Sequence, residues 1–170
     1  MDETRDAKVM CGPALAGAMA IANVTARTCT FDSIRHAESA ASLTEKAQSL
    51  ELACQGRAPT DQEQIDHRAY VVGAILTTVC FLEATINEVY WDARETPDTL
   101  VETFSGEVVR ALGTVAAATY ERELTVGTLA KYQLALVIAG RPQFEQGMNP
   151  YQDVKLLTRI RNSLVHFEPE

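Results

Sequence analysis

Residues 61–93, DQEQIDHRAYVVGAILTTVCFLEATINEVYWDA, form the stretch that decides the fold. Acidic and polar residues open it, where a helix dipole favours acids, and Thr60 or Asp61 is placed to cap a helix. Residues 71–82 are apolar on all sides, as is typical of the central helix of a bundle. This run has 12 residues, whereas a membrane-spanning helix needs about 20. The pattern therefore predicts a buried core helix in a soluble protein.

Shorter helical segments flank this stretch on both sides. The spacing of apolar and capping residues predicts helices over residues 33–54, 97–115, 126–139 and 151–165. We therefore expect an all-α fold, an antiparallel bundle of four to five helices within residues 31–170. Residues 1–30 mix Gly12-Pro13 with several threonines, and we expect an N-terminal arm or an irregular segment there.

Composition narrows the functional classes. The chain of 170 residues is 46% hydrophobic and 22% charged, which suits one folded domain. Its formal net charge of −8 argues against coating a nucleic-acid duplex, because that requires a broadly basic surface. An RNA-directed activity would need a local basic site. Residues 9–26 are rich in Ala, Gly and Val, but the acidic segment before them is unlike an export signal. We expect a cytoplasmic protein with no membrane association.

Cysteine and histidine spacing gives no sign of a metal site. The four cysteines at 11, 29, 54 and 80 are at least 18 residues apart, so no CxxC pair exists. The three histidines at 36, 67 and 166 are not spaced with them as zinc ligands. We expect reduced, mostly buried thiols and no bound metal.

The last predicted helix carries two stripes of different chemistry. At about 100° per residue, one arc of roughly 80° is apolar, and we expect it to face the core. It contains Leu156, Ile160, Leu164 and Phe167, with Leu157 at its edge. On the opposite side, basic and polar residues lie within about 60° of one another. They are Lys155, Arg159, Asn162 and His166. This helix supplies a local basic site in an acidic protein.

The end of the same helix resembles the R-x4-6-H motif of HEPN domains, in which an arginine, a polar residue directly after it and a histidine follow one another on the last helix. Here they are Arg161, Asn162 and His166. FLEATINE at 81–88 and KYQLAL at 131–136 are similar to the matching helices of bacterial members. The resemblance extends over about residues 33–168.

The resemblance implies a metal-independent endoribonuclease that acts as a homodimer, with two motifs facing across the interface and no cofactor. RNA brings its own nucleophile, the 2′-hydroxyl, so that a base and a charge stabiliser suffice. An imidazole such as His166 transfers protons near neutral pH. Arg161 would hold the phosphate, and Asn162 would orient the imidazole or bind a phosphate oxygen. The implied setting is a bacterial toxin or phage-defence effector, restrained by an antitoxin or another regulatory protein.

Two further points concern the surroundings of the motif. Arg161 and His166 lie about 140° apart on an ideal helix, so a single helix presents them poorly to one phosphate. A dimer, in which each helix contributes different groups, or a frayed last turn would bring them to the same phosphate. Glu83 and Asn87 are one turn apart, so both should face the same neighbour. We expect Glu83 or Asn87 to line the same pocket as Arg161, because a carboxylate at the edge of a buried helix usually has a cationic partner.

Other interpretations of the same residues stay open. A histidine at a helix C-terminus is often only a cap, and an arginine beside an apolar face often pairs with a buried acid. The chain would then be a non-catalytic HEPN-like module for dimerisation or for binding a protein or nucleotide, or a purely structural bundle. Catalysis requires Arg161 and His166 exposed in one cleft, whereas a binding module can hold either in a salt bridge. Glu168 replaces the tyrosine of HEPN domains that are paired with nucleotidyltransferases, which makes such a partner unexpected.

Overall fold

The computed structural model describes residues 32–120 and 126–166. By their internal contacts, the described residues from Ser33 onward belong to one compact unit. The N-terminal arm predicted at 1–30 lies outside the described residues, and so do Phe167 and Glu168.

The described residues form helices and no strand, which confirms the all-α prediction. Within the described residues there are five α-helices: α1 (Asp32–Ala53), α2 (Asp61–Glu95), α3 (Gly106–Tyr120), α4 (Thr128–Ile138) and α5 (Tyr151–Val165). The third helix was predicted to begin at Pro97, and this was wrong. Pro97–Thr99 forms only a 3₁₀ turn. The α-helix starts after Ser105, whose hydroxyl accepts a hydrogen bond from the Val108 amide at 3.5 Å.

The turn between α1 and α2 is fixed by a reciprocal cap. The Thr60 hydroxyl accepts from the Glu63 amide, and the Glu63 carboxylate accepts from the Thr60 amide. Arg57 donates to the same carboxylate at 2.5 Å. The hydrogen bond from Arg57, followed by that from the Thr60 amide, lowers the pKa of Glu63 to about 2. The predicted cap at Thr60 is therefore the start of α2.

The core lies between the second half of α2 and α3. Its buried members are Ile86, Tyr90, Ala93, Val109, Leu112 and Ala116. The two backbones approach closely where Gly113 meets Ala93, since a Cβ built on this glycine would stand 2.8 Å from the Ala93 carbonyl oxygen. Side chains of α4, including Tyr132 and Ile138, pack against the same cluster.

The first half of α2 is much less covered than its sequence predicts. Only Val79 is buried among residues 71–82, so the expectation of a fully buried helix there was wrong. The cause is length. At about 1.5 Å per residue, the 35 residues of α2 extend about 52 Å, more than twice the length of α3, α4 or α5. Leu43 of α1 contacts Gly73, and Ser33 at the start of α1 donates twice to Glu88.

Among the described helices, α2 alone is long and apolar enough to cross a membrane. This is a statement of length and composition only, and the core helix of a soluble protein satisfies it too. Of its most apolar 18-residue window, 11% is buried inside the protein. Much of the apolar surface of α2 is therefore left uncovered by the described residues.

Candidate functional site

Helix α5 packs through a different face from the one predicted. The apolar arc is exposed, with Leu156 at 56%, Ile160 at 38% and Leu164 at 45% of their accessible surface. The residues turned towards the bundle are Tyr151, Val154, Leu157, Thr158 and Arg161. The predicted core face was thus wrong by about 120° of rotation around the helix axis. We name the three exposed residues Leu156, Ile160 and Leu164 the apolar arc.

An ion pair lies in the middle of the packed face. Arg161 Nη2 of α5 donates to Glu83 Oε1 of α2, and the two side chains are 24% and 39% exposed. Thr128 at the start of α4 donates to the same carboxylate oxygen at 3.4 Å. The structure therefore places Glu83 against Arg161, as the sequence suggested. Arg161 Nε is buried without a hydrogen-bond partner among the described residues.

Asn87 lies one turn further along α2 and accepts a hydrogen bond from α4. Lys131 Nζ donates to Asn87 Oδ1 at 2.7 Å. Burial lowers the pKa of Lys131, and the charge of Glu83 opposes that shift. Glu83 is thus the carboxylate near two cations, Arg161 and Lys131. Together with Thr128 and Asn87 these residues form a polar cluster where α2, α4 and α5 meet.

Sequence reasoning missed Thr128 and Lys131 as members of this cluster. A signal for the lysine was present, because Lys131 is the only charged residue in α4, TLAKYQLALVI. A single charge in an otherwise apolar helix usually has a polar partner on a neighbouring element. Thr128 gave no signal of this kind.

His166 stands on the opposite side of α5 from the polar cluster. It is the residue at which α5 ends, with its amide donating to the Asn162 carbonyl at 2.8 Å. The imidazole and the Asn162 side chain are both exposed. The structure therefore separates the motif within one copy of the chain. Arg161 faces α2, whereas Asn162 and His166 face solvent.

The remaining predicted residues, Lys155 and Arg159, are exposed on the same side as Asn162 and His166. We call these four residues the basic stripe. None of their side chains forms a hydrogen bond or ion pair within the described part of the chain. Around the helix axis, Arg159 is about 60° from Leu156 at the near edge of the apolar arc, whereas His166 and Asn162 are about 120° and 160° from Ile160 at its centre. The exposed part of α5 thus holds an apolar arc and, further round the helix, a basic stripe.

A cleft separate from α5 lies between the end of α1 and the start of α2. Its volume is about 580 Å³, and its lining includes Leu50, Cys54, Val71 and His67. His67 Nε2 lies 2.7 Å from Glu51 Oε1. Across residues 32–120 and 126–166, no three His, Cys, Asp or Glu side chains are grouped to hold a metal ion. The cleft shares no residue with the motif.

No family model, no curated protein and no solved structure matches this chain. Function is therefore inferred from the geometry of α5 and its neighbours.

Proposed function

We propose that the protein is a homodimeric, metal-independent endoribonuclease of HEPN type, in which α5 both forms the dimer and contacts RNA. The observation that carries this proposal is that α5 exposes both the apolar arc and the basic stripe. Both belong to the helix whose end resembles the HEPN motif.

The apolar arc supports self-association. Leu156, Ile160 and Leu164 repeat at intervals of four residues, and such a ridge packs into the grooves of another helix. Removing a leucine or isoleucine side chain from water contributes about 1.5–3 kcal/mol when burial is complete. A two-fold axis lets the same arc serve on both copies, because an isologous interface is self-complementary.

The basic stripe supports an RNA site on that dimer. Because the stripe lies outside the apolar arc, docking a second α5 on the arc leaves Asn162 and His166 exposed. Two-fold symmetry then gives the dimer two imidazoles and two sets of cations. His166 would remove the 2′-hydroxyl proton or return a proton to the leaving oxygen, and the product would carry a 2′,3′-cyclic phosphate. Such an activity fits a bacterial toxin or phage-defence effector restrained by an antitoxin or other regulatory protein.

One observation favours a second candidate, a non-catalytic HEPN-like module for dimerisation or ligand binding. Arg161, the arginine of the motif, is held in a half-buried ion pair with Glu83. A binding module tolerates this arrangement, whereas catalysis by the motif arginine requires its release.

RNA cleavage in EDTA by the purified protein distinguishes the ribonuclease from the non-catalytic binding module. The wild type is compared with His166→Ala and with His36→Ala, a matched loss of imidazole on α1. We expect the wild type and His36→Ala to cleave, and His166→Ala to be slower by about a hundredfold or more. No cleavage by any protein, or equal cleavage by all three, would leave the binding module as the function.

A further inference from the structure

We infer that Arg159 and Lys155, not the motif residue Arg161, are the cations that hold the RNA backbone, and that Arg161 stabilises the fold through its ion pair with Glu83. This inference rests on the proposed function in taking RNA as the ligand of α5. It assigns to Arg159 a contact that the sequence motif would give to Arg161.

The first step is the state of the two arginines. Arg161 is about three-quarters buried and donates to Glu83. Turning Arg161 towards a phosphate would break this ion pair. The partly buried Glu83 carboxylate would then keep only the Thr128 hydroxyl as a hydrogen-bond donor among the described residues. Arg159 is exposed and has no side-chain partner in the described part of the chain. A guanidinium in that state is ready for a bidentate contact with phosphate.

The second step is direction around α5. His166 follows Arg159 by seven residues, which places the two side chains about 20° apart around the helix axis. Arg161 is about 140° from His166 by the same measure. The arginine that shares a face with the imidazole is therefore Arg159.

The third step is distance along α5. Lys155 and Arg159 are separated by about 6 Å along the axis, and Arg159 and His166 by about 10.5 Å. Helical side chains also lean towards the N-terminus, so Arg159 points away from His166. Lys155 and Arg159 are thus placed to hold phosphates that neighbour the one at His166, with the strand running along the helix.

The fourth step is charge. The only acid in α5 is Asp153, about 120° around the axis from Arg159, so the basic stripe itself contains none. The stripe is one side chain wide in a protein of net charge −8. A duplex needs a broader basic surface, because it presents two phosphate backbones. The ligand that fits is a single RNA strand.

Binding of a fluorescein-labelled 12-mer of uridine, measured by anisotropy over a range of salt concentrations, tests this assignment. All proteins carry His166→Ala so that the probe stays intact. Arg159→Gln should weaken binding about tenfold and lower the salt slope by about one, with an unchanged melting temperature. Arg35→Gln removes an exposed arginine of α1 and should leave binding unchanged.

Arg161→Gln and Glu83→Gln provide the decisive pair. If Arg161 serves the fold through its ion pair with Glu83, both variants lower the melting temperature alike, and below that temperature both retain binding within about twofold. If Arg161 contacts RNA itself, Arg161→Gln loses RNA binding. Glu83→Gln then frees the arginine, and RNA binding is kept or strengthened. That second pattern overturns the inference, and so does wild-type affinity in Arg159→Gln or no affinity in the starting protein. Loss of affinity in Arg159→Gln without any RNA cleavage by the wild type would uphold the contact and refute the ribonuclease.

Discussion

Arg161 of α5 donates to Glu83 of α2, 78 positions earlier in the chain, and this ion pair lies at the centre of the face by which α5 contacts the bundle. Val154 and Leu157 pack beside the pair, and the apolar arc is turned away from the core.

The Arg161–Glu83 pair should contribute measurably to stability. Arg161→Gln and Glu83→Gln should each lower the free energy of unfolding by about 1–2 kcal/mol, between the values for exposed and for buried ion pairs. The double variant should lose less stability than the two single variants together, because after the first substitution the ion pair no longer exists. Urea denaturation measures all three. Glu95→Gln, which disrupts the more exposed pair with Arg94, should change stability by less than about 0.5 kcal/mol. Single variants as stable as the wild type would contradict this account.

The apolar arc should hold two copies together. Ile160→Asp places a charge at its centre, and we expect the protein to become monomeric because an unpaired carboxylate would be desolvated in the interface. Leu52→Asp introduces the same charge at a leucine of α1 that is 64% exposed, and it should remain dimeric. Sedimentation equilibrium distinguishes these states. A monomeric wild type, or a dimeric Ile160→Asp, would refute the interface.

The close approach of α2 and α3 should make Gly113 intolerant of a side chain. A Cβ there meets the Ala93 carbonyl oxygen at 2.8 Å, so a backbone must move. Gly113→Ala should lower the free energy of unfolding by about 1–3 kcal/mol, as overpacking does. Gly106→Ala is the control, since a Cβ at that position of the same helix meets nothing within 4 Å. Equal stability of the two alanine variants would show that the helices are further apart.

The cap at the start of α2 should make stability depend on acid pH. The pKa of Glu63 is lowered from 4.5 to about 2, chiefly by the hydrogen bond from Arg57. A lowered folded-state pKa means that the contribution is fully present above the ordinary value and is lost as the pH falls from about 4.5 to about 2. The difference in unfolding free energy between wild type and Glu63→Gln should therefore shrink across that window. A difference that stays constant from pH 7 to pH 2 would mean that the cap does not form.

The sequence located the helices better than it located their faces. Helix α5 begins and ends where predicted, at Tyr151 and Val165, because the pattern is periodic and Pro150 precedes it. Its packed face could not be predicted in this way. The spacing of apolar residues shows on which side of a helix they cluster, but it does not show which side another helix covers. Leu156 and Ile160 are as apolar as core residues, yet they are exposed.

Within the candidate site, one contact could be predicted from the sequence and another could not. The partnership of Glu83 with Arg161 was predictable, because a carboxylate beside an apolar run needs a cation. The contact of Asn87 with Lys131 was not, since it depends on how α4 lies against α2. For α2 itself, the apolar run predicted full burial, but α3, α4 and α5 are too short to cover its first half.

The central claim is that RNA is cleaved by a dimer that forms through α5, and one comparison tests it most directly. Cleavage of single-stranded RNA in EDTA is measured for the wild type, Ile160→Asp and Leu52→Asp, with the oligomeric state of each sample determined in parallel. The account predicts 2′,3′-cyclic phosphate ends from the dimeric wild type and Leu52→Asp, and a folded, monomeric Ile160→Asp slower by about a hundredfold. Full activity in a monomeric Ile160→Asp, or no cleavage by the dimeric wild type, would contradict it.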